Sequence, residues 1–143
     1  MLINDTYNDR RARCEIEEQV GKKYSFIERV QMKGIGSQRM LIVESSNAIT
    51  DLLSQDSKLN HSNVEIRKGG IIVRFQSKMY TYAFAIPWHF LTVFRTGNTL
   101  NVFGQNNHVK LRPAHNEKHD RRFVLKLLQH KAVWSEDHPT LQL

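Results

Sequence analysis

The chain has 143 residues, the length of one domain, and its 13 Leu, 10 Ile, 10 Val and 7 Phe supply enough apolar mass for a packed core, which excludes a disordered chain. Lys plus Arg is 21 and Asp plus Glu is 14, for a net charge of +7 that is unevenly placed. The longest apolar run, Tyr82 to Trp88, is far short of the ~20 residues a spanning helix needs, and the single Cys14 excludes an intrachain disulfide and any multi-cysteine metal site.

Residues 1–21 carry three basic and five acidic groups and form an acidic N-terminal arm; residues 22–134 carry 18 and seven and form a basic globular core; residues 135–143, with two acids and no base, read as a tail. A single domain is expected, soluble and cytoplasmic, since Met1-Leu2-Ile3-Asn4-Asp5 is neither a basic leader nor the start of a signal-length apolar run.

In chain order, Arg11 to Val20 places Ala12, Ile16 and Val20 at helical spacing on a charged segment, as in a weak helix or a partly ordered arm. Tyr24, Phe26 and Val30 suggest a strand that turns at Gly34-Ile35-Gly36-Ser37 into a second one, Met40 to Val43. After a cap at Ser46 or Asn47, the residues Ala48, Ile49, Leu52 and Leu53 share one helical face up to the polar stretch 57–60.

Strand signals then dominate. Val64 and Ile66, a tight turn at Arg67-Lys68-Gly69-Gly70, and alternating Ile71, Val73 and Phe75 predict a hairpin. Met79 to Ile86 follows, ending at Pro87, which lacks a ladder donor. Phe90 to Phe94, Leu100 to Phe103, and Val109 with Leu111 complete the set, with turns at Gly97-Asn98 and Gly104 to Asn107. A final helix, capped by Asp120 or Asn116, has an apolar stripe of Phe123, Val124, Leu127 and Leu128 opposite Arg121, Arg122, Lys126 and Gln129, and Ser135 to Pro139 ends it.

The fold class is therefore α+β: a strongly bent antiparallel sheet or partly open barrel of about seven strands, one short inserted helix and a C-terminal amphipathic helix. Val64-Glu65-Ile66, Gly70-Ile71-Ile72-Val73, Ile86-Pro87-Trp88 leading into Phe90-Leu91, Leu100-Asn101-Val102, Val109-Lys110-Leu111 and the helix from Phe123 to Leu128 follow one another in the order of the pleckstrin-homology-like superfamily. Over residues 63–130 the chain resembles the small bacterial members of that superfamily. The resemblance implies a bent barrel closed by the last helix, and a role in protein interaction or assembly. Phosphoinositide-binding members carry a paired basic motif after the first hairpin; here Lys33 and Arg39 flank the turn but Met40-Leu41 follows, so lipid head-group binding is not implied.

Candidate sites are few. Arg67, Lys68, Arg74, Lys78, Lys110 and Arg112 are the candidate binding residues for an anionic partner, on hairpin ends and one sheet face, unless they only solvate the sheet. Tyr80, Tyr82 and Phe84 share a strand face and could stack bases, although small Thr81, Ala83 and Ala85 opposite them make an inward aromatic face the simpler solution. His115 and His119 have a ligand-like spacing beside Glu117 and Asp120, which a capped helix entrance also explains.

Catalysis is not expected, and no cofactor is implied. Gly34-Ile35-Gly36 lacks the third glycine of a dinucleotide loop, no Walker lysine or Gly-x-Ser-x-Gly occurs, and Cys14 lies among Glu15, Glu17 and Glu18, an acidic setting that disfavours a reactive role. The expected function is a non-catalytic interaction or assembly module whose basic surface binds an acidic protein partner or a second copy, as in a homodimer; the alternative is a nucleic-acid-binding domain using the basic sheet face.

Overall fold

The computed structural model of the chain describes residues 1–53, 60–114 and 117–138, the side chains of 117–119 excepted. Within them one antiparallel sheet contains β1 (Leu2–Asn4), β2 (Met40–Ser45), β3 (His61–Arg67), β4 (Gly70–Ser77), β5 (Tyr80–Pro87), β6 (Thr92–Thr96), β7 (Thr99–Phe103) and β8 (His108–Pro113). The spatial order is β1-β5-β4-β3-β2-β8-β7-β6, so the sheet stays open, with β1 and β6 at its edges. Helices α1 (Arg10–Val20), α2 (Phe26–Gln31), α3 (Asn47–Thr50) and α4 (Glu117–Asp137) complete the described fold.

Strand alternation gives the sheet two unlike faces. On the inner face Val64, Ile66, Ile71, Val73, Phe75, Phe84, Ile86, Leu100, Val102, Val109 and Leu111 form the main core, and α4 covers it with Phe123, Val124 and Leu127. The remaining member of the expected stripe, Leu128, is partly exposed. Trp88 anchors this layer: its Nε1 donates to the Lys68 carbonyl at 2.8 Å, and its own carbonyl accepts from Lys131 of α4.

Of the two forms expected for residues 11–20, a weak helix or a partly ordered arm, the helix is found, and Leu2–Asn4 ahead of it joins the sheet. β1 pairs with β5, and α1, capped by Asp9, lays Ala12, Ile16 and Val20 on the outer face against Ile3, Ile72, Ala83 and Ala85. The two alanines of β5 leave room for the helix to approach. An Ala83→Leu replacement forces three more carbons into that contact and should cost about 1–3 kcal/mol. Amide exchange across residues 10–20 should accelerate with it, and unchanged exchange would show that α1 does not depend on this packing.

Several expectations are corrected. Residues from Phe26 form a helix, not a strand, because Ser25 and Glu28 make a reciprocal capping box: Ser25 Oγ accepts from the Glu28 amide and Glu28 Oε1 accepts from the Ser25 amide, both at 3.2 Å. The segment 34–37 consequently makes no hairpin; Gly36 instead bridges to Glu65. Trp88–Phe90 is a 3-10 turn, so the next strand starts only at Thr92. The helix after Ser46 is a single turn, and that serine bonds Asn107 and the His108 amide instead of capping it.

Candidate docking surface

The geometry separates the six sequence-predicted basic residues into three groups. Arg67 and Arg74 are structural: Arg67 Nε lies 2.5 Å from Glu65 and its Nη1 donates to the Gly21 carbonyl at 2.9 Å, while Arg74 binds Glu65 and reaches Asp5 at 3.4 Å. Burial pushes the Glu65 carboxyl up, yet the hydrogen bonds and charges of Arg74 and Arg67 outweigh it and hold Glu65 below the ordinary range. Both cations are paired with acids of the chain, Arg67 nearly buried and Arg74 with about a quarter of its side chain exposed.

Lys68 and Lys110 are half committed. Lys68 is 3.3 Å from Glu28 and lies over the Tyr24 ring at 5.6 Å, and Lys110 is 3.2 Å from Glu44. Lys78 sits at positive φ in the exposed turn between β4 and β5, and Arg112 is exposed on the outer face of β8. Only Lys110 and Arg112, two residues apart on β8, are brought together as a surface pair.

Phe84 is buried and Tyr82 stacks on Phe75 at 5.9 Å, so the row starting at exposed Tyr80 faces the core and offers no continuous platform for bases. His115 and the side chains of Glu117 and His119 lie outside the described residues; among the described ones, no three His, Cys, Asp or Glu side chains converge as a metal site requires.

A surface that the sequence reading missed lies at α2 and α4. None of the α2 side chains is buried, and Phe26, Ile27 and Val30, at one-face helical spacing, are 72%, 69% and 61% exposed. Beside the end of α2, a groove of about 490 Å³ is walled by Met32, Phe123 and Leu125 and rimmed by Lys33, Arg122 and Lys126. Lys126 Nζ donates to the Gly34 carbonyl at 2.8 Å, which locks α4 to the segment after α2. Its ammonium pKa is lowered chiefly by burial and further by the nearby charge of Lys33. The Ser25-x-x-Glu28 spacing was the signal that could have revealed this helix.

No protein-family model, no curated protein and no solved structure matches this chain. No helix among the described residues is long and apolar enough to cross a membrane.

Proposed function

We propose that the protein is a non-catalytic interaction module that docks an acidic amphipathic helix of a protein partner on the α2 and α4 surface. The observation that carries this reading is the apolar stripe of α2 turned to water beside a groove with an apolar floor and a basic rim. Leaving Phe26, Ile27 and Val30 wet forfeits roughly 1.5–3 kcal/mol for each side chain that a partner could bury, which is why such patches mark contact sites. Lys33, Arg122 and Lys126 select the sign of the partner, because an acidic flank relieves their repulsion while a basic one adds to it. The antiparallel sheet covered by a C-terminal helix shares the coarse plan of the pleckstrin-homology-like resemblance, although the sheet is open where that resemblance implies a closed barrel; its bacterial members suggest the same kind of role.

The test uses two labelled 18-residue helical peptides with the same leucine stripe, one with glutamates and one with lysines on its polar face. The glutamate peptide should bind the full chain and lose at least tenfold in affinity on Leu125→Asp or Lys126→Glu, both at partly or largely exposed positions. Equal binding of the lysine peptide, or indifference to Leu125→Asp, would overturn the reading. Light scattering separates the remaining case: a dimer dispersed by Val30→Asp would assign the same stripe to self-association in place of a foreign helix.

A further inference from the structure

A second surface, independent of the first, lies on the outer face of the sheet. Helix α1 packs on that face against β1, β5 and β4, and among the described residues no helix packs closely on the outer sides of β6, β7 and β8. Register and alternation place Thr92, Phe94 and Thr96 of β6, Thr99, Asn101 and Phe103 of β7, and His108, Lys110 and Arg112 of β8 there. None of the nine is acidic. Thr92 faces Phe103, which faces His108, and Phe94 faces Asn101, which faces Lys110.

Three of these side chains form a row of rings. Phe94 and Phe103 are 6.0 Å apart with planes within 5°, and Phe103 and His108 are 5.1 Å apart within 22°. Phe94, the terminal ring, is 46% exposed. Along one side of the row run Lys110 and Arg112, with exposed Arg39 on the continuation of the same face just before β2. Arg39 and Arg112 have no salt bridge among the described residues, whereas Lys110 pairs with Glu44. From Ile66 to Asn116 the chain contains no Asp or Glu, and of its seven Lys and Arg two, Lys110 and Arg112, stand on this face.

From this placement we infer that the open outer face of β6, β7 and β8 is a binding site for single-stranded nucleic acid. Unpaired bases continue the ring row from Phe94, because every base presents a π face and stacking needs no particular sequence. The phosphates lie along Lys110, Arg112 and Arg39, where charge pairing and release of condensed counterions drive association. A sheet face carrying stacked rings suits splayed bases, whereas the bases of a duplex are already stacked on one another and leave no π face for it.

The probe is a fluorescein-labelled 10-mer of deoxythymidine, with the uridine 10-mer and a 10-base-pair duplex beside it, read by fluorescence anisotropy with the full chain from 20 to 200 mM NaCl. Both single strands should bind, the duplex more weakly. Phe94→Ala and Phe103→Ala should each weaken binding roughly tenfold. Arg112→Ala should lower the salt slope by about 0.7. Thermal melting of each variant establishes that it is folded, and Phe94→Ala, at an exposed position, leaves the core intact. Absence of binding at 20 mM NaCl overturns the inference. So does a preference for duplex, or single-strand binding that folded Phe94→Ala and Phe103→Ala leave unchanged. Displacement by polyglutamate as readily as by unlabelled oligonucleotide would likewise show that charge alone, and not base stacking, holds the strand. Leu125→Asp, which blocks the α2 and α4 groove, should leave oligonucleotide binding unaltered, so the two surfaces fail or succeed separately.

Discussion

Gly70→Ala should be the most damaging single substitution in this chain, lowering stability by about 3 kcal/mol or more and yielding mostly insoluble protein. A β carbon at position 70 would lie 2.1 Å from the carbonyl oxygen of Ile86 and 2.9 Å from the α carbon of Pro87. Both are backbone atoms, fixed by the Gly70 to Pro87 and Ile71 to Ile86 register of β4 and β5. A side chain could rotate away; a paired strand cannot. Relief requires parting the strands above the main core, where Ile71, Ile86 and Trp88 are fully or almost fully buried. Gly97→Ala provides the contrast, for its β carbon meets nothing within 4 Å and pays only for a φ of +62°, about 1–2 kcal/mol. Thermal melting of the two variants beside the parent distinguishes them, and a Gly70→Ala protein as stable as Gly97→Ala would contradict this register.

Glu65→Ala is expected to cost about 3–5 kcal/mol, because it removes the shared partner of two arginines. Arg67 has a side chain only 8% exposed, and without Glu65 its charge keeps the Gly21 carbonyl as its remaining contact. Against the roughly 7–20 kcal/mol available to a chain of this length, the loss should be plain in urea unfolding at pH 7. Acid supplies the matching test. The folded carboxyl sits below its ordinary range, so the contribution is fully present above the unfolded pKa of about 4.3 and fades as pH falls through the lower, folded value. Glu65→Gln should remove that part of the acid slope. A variant that keeps the full slope would place the acid sensitivity elsewhere.

Much of the architecture is legible in local pattern. The alternation from Val64 to Phe75 and the Arg67-Lys68-Gly69-Gly70 turn correspond to β3, β4 and their two-residue connection, and the Phe123 to Leu127 stripe is the face of α4 on the core. The segment from Tyr24 to Val30 misleads because six residues of mixed apolar and charged character fit either period, and the capping box decides in favour of helix. Leu2–Asn4 is too short to announce a strand, and only the partner strand β5 makes it one. Among the candidate site residues, Lys110 and Arg112 are on a surface, while Arg67 and Arg74 are absorbed by Glu65 and Asp5.

The order of strand and helix signals, the basic excess and the want of an apolar run long enough for a spanning helix thus follow from residue pattern alone, since each depends on neighbours close in the chain. Which cations remain available, which aromatics meet, and that α2 leaves its apolar side in water were decided by tertiary structure. Those properties depend on pairs such as Glu65 with Arg74 and Phe94 with Phe103, whose members are apart in sequence and come together only through strand register. Alternation along a strand states that two side chains point the same way; it does not state which acid, ring or helix the sheet will set beside them.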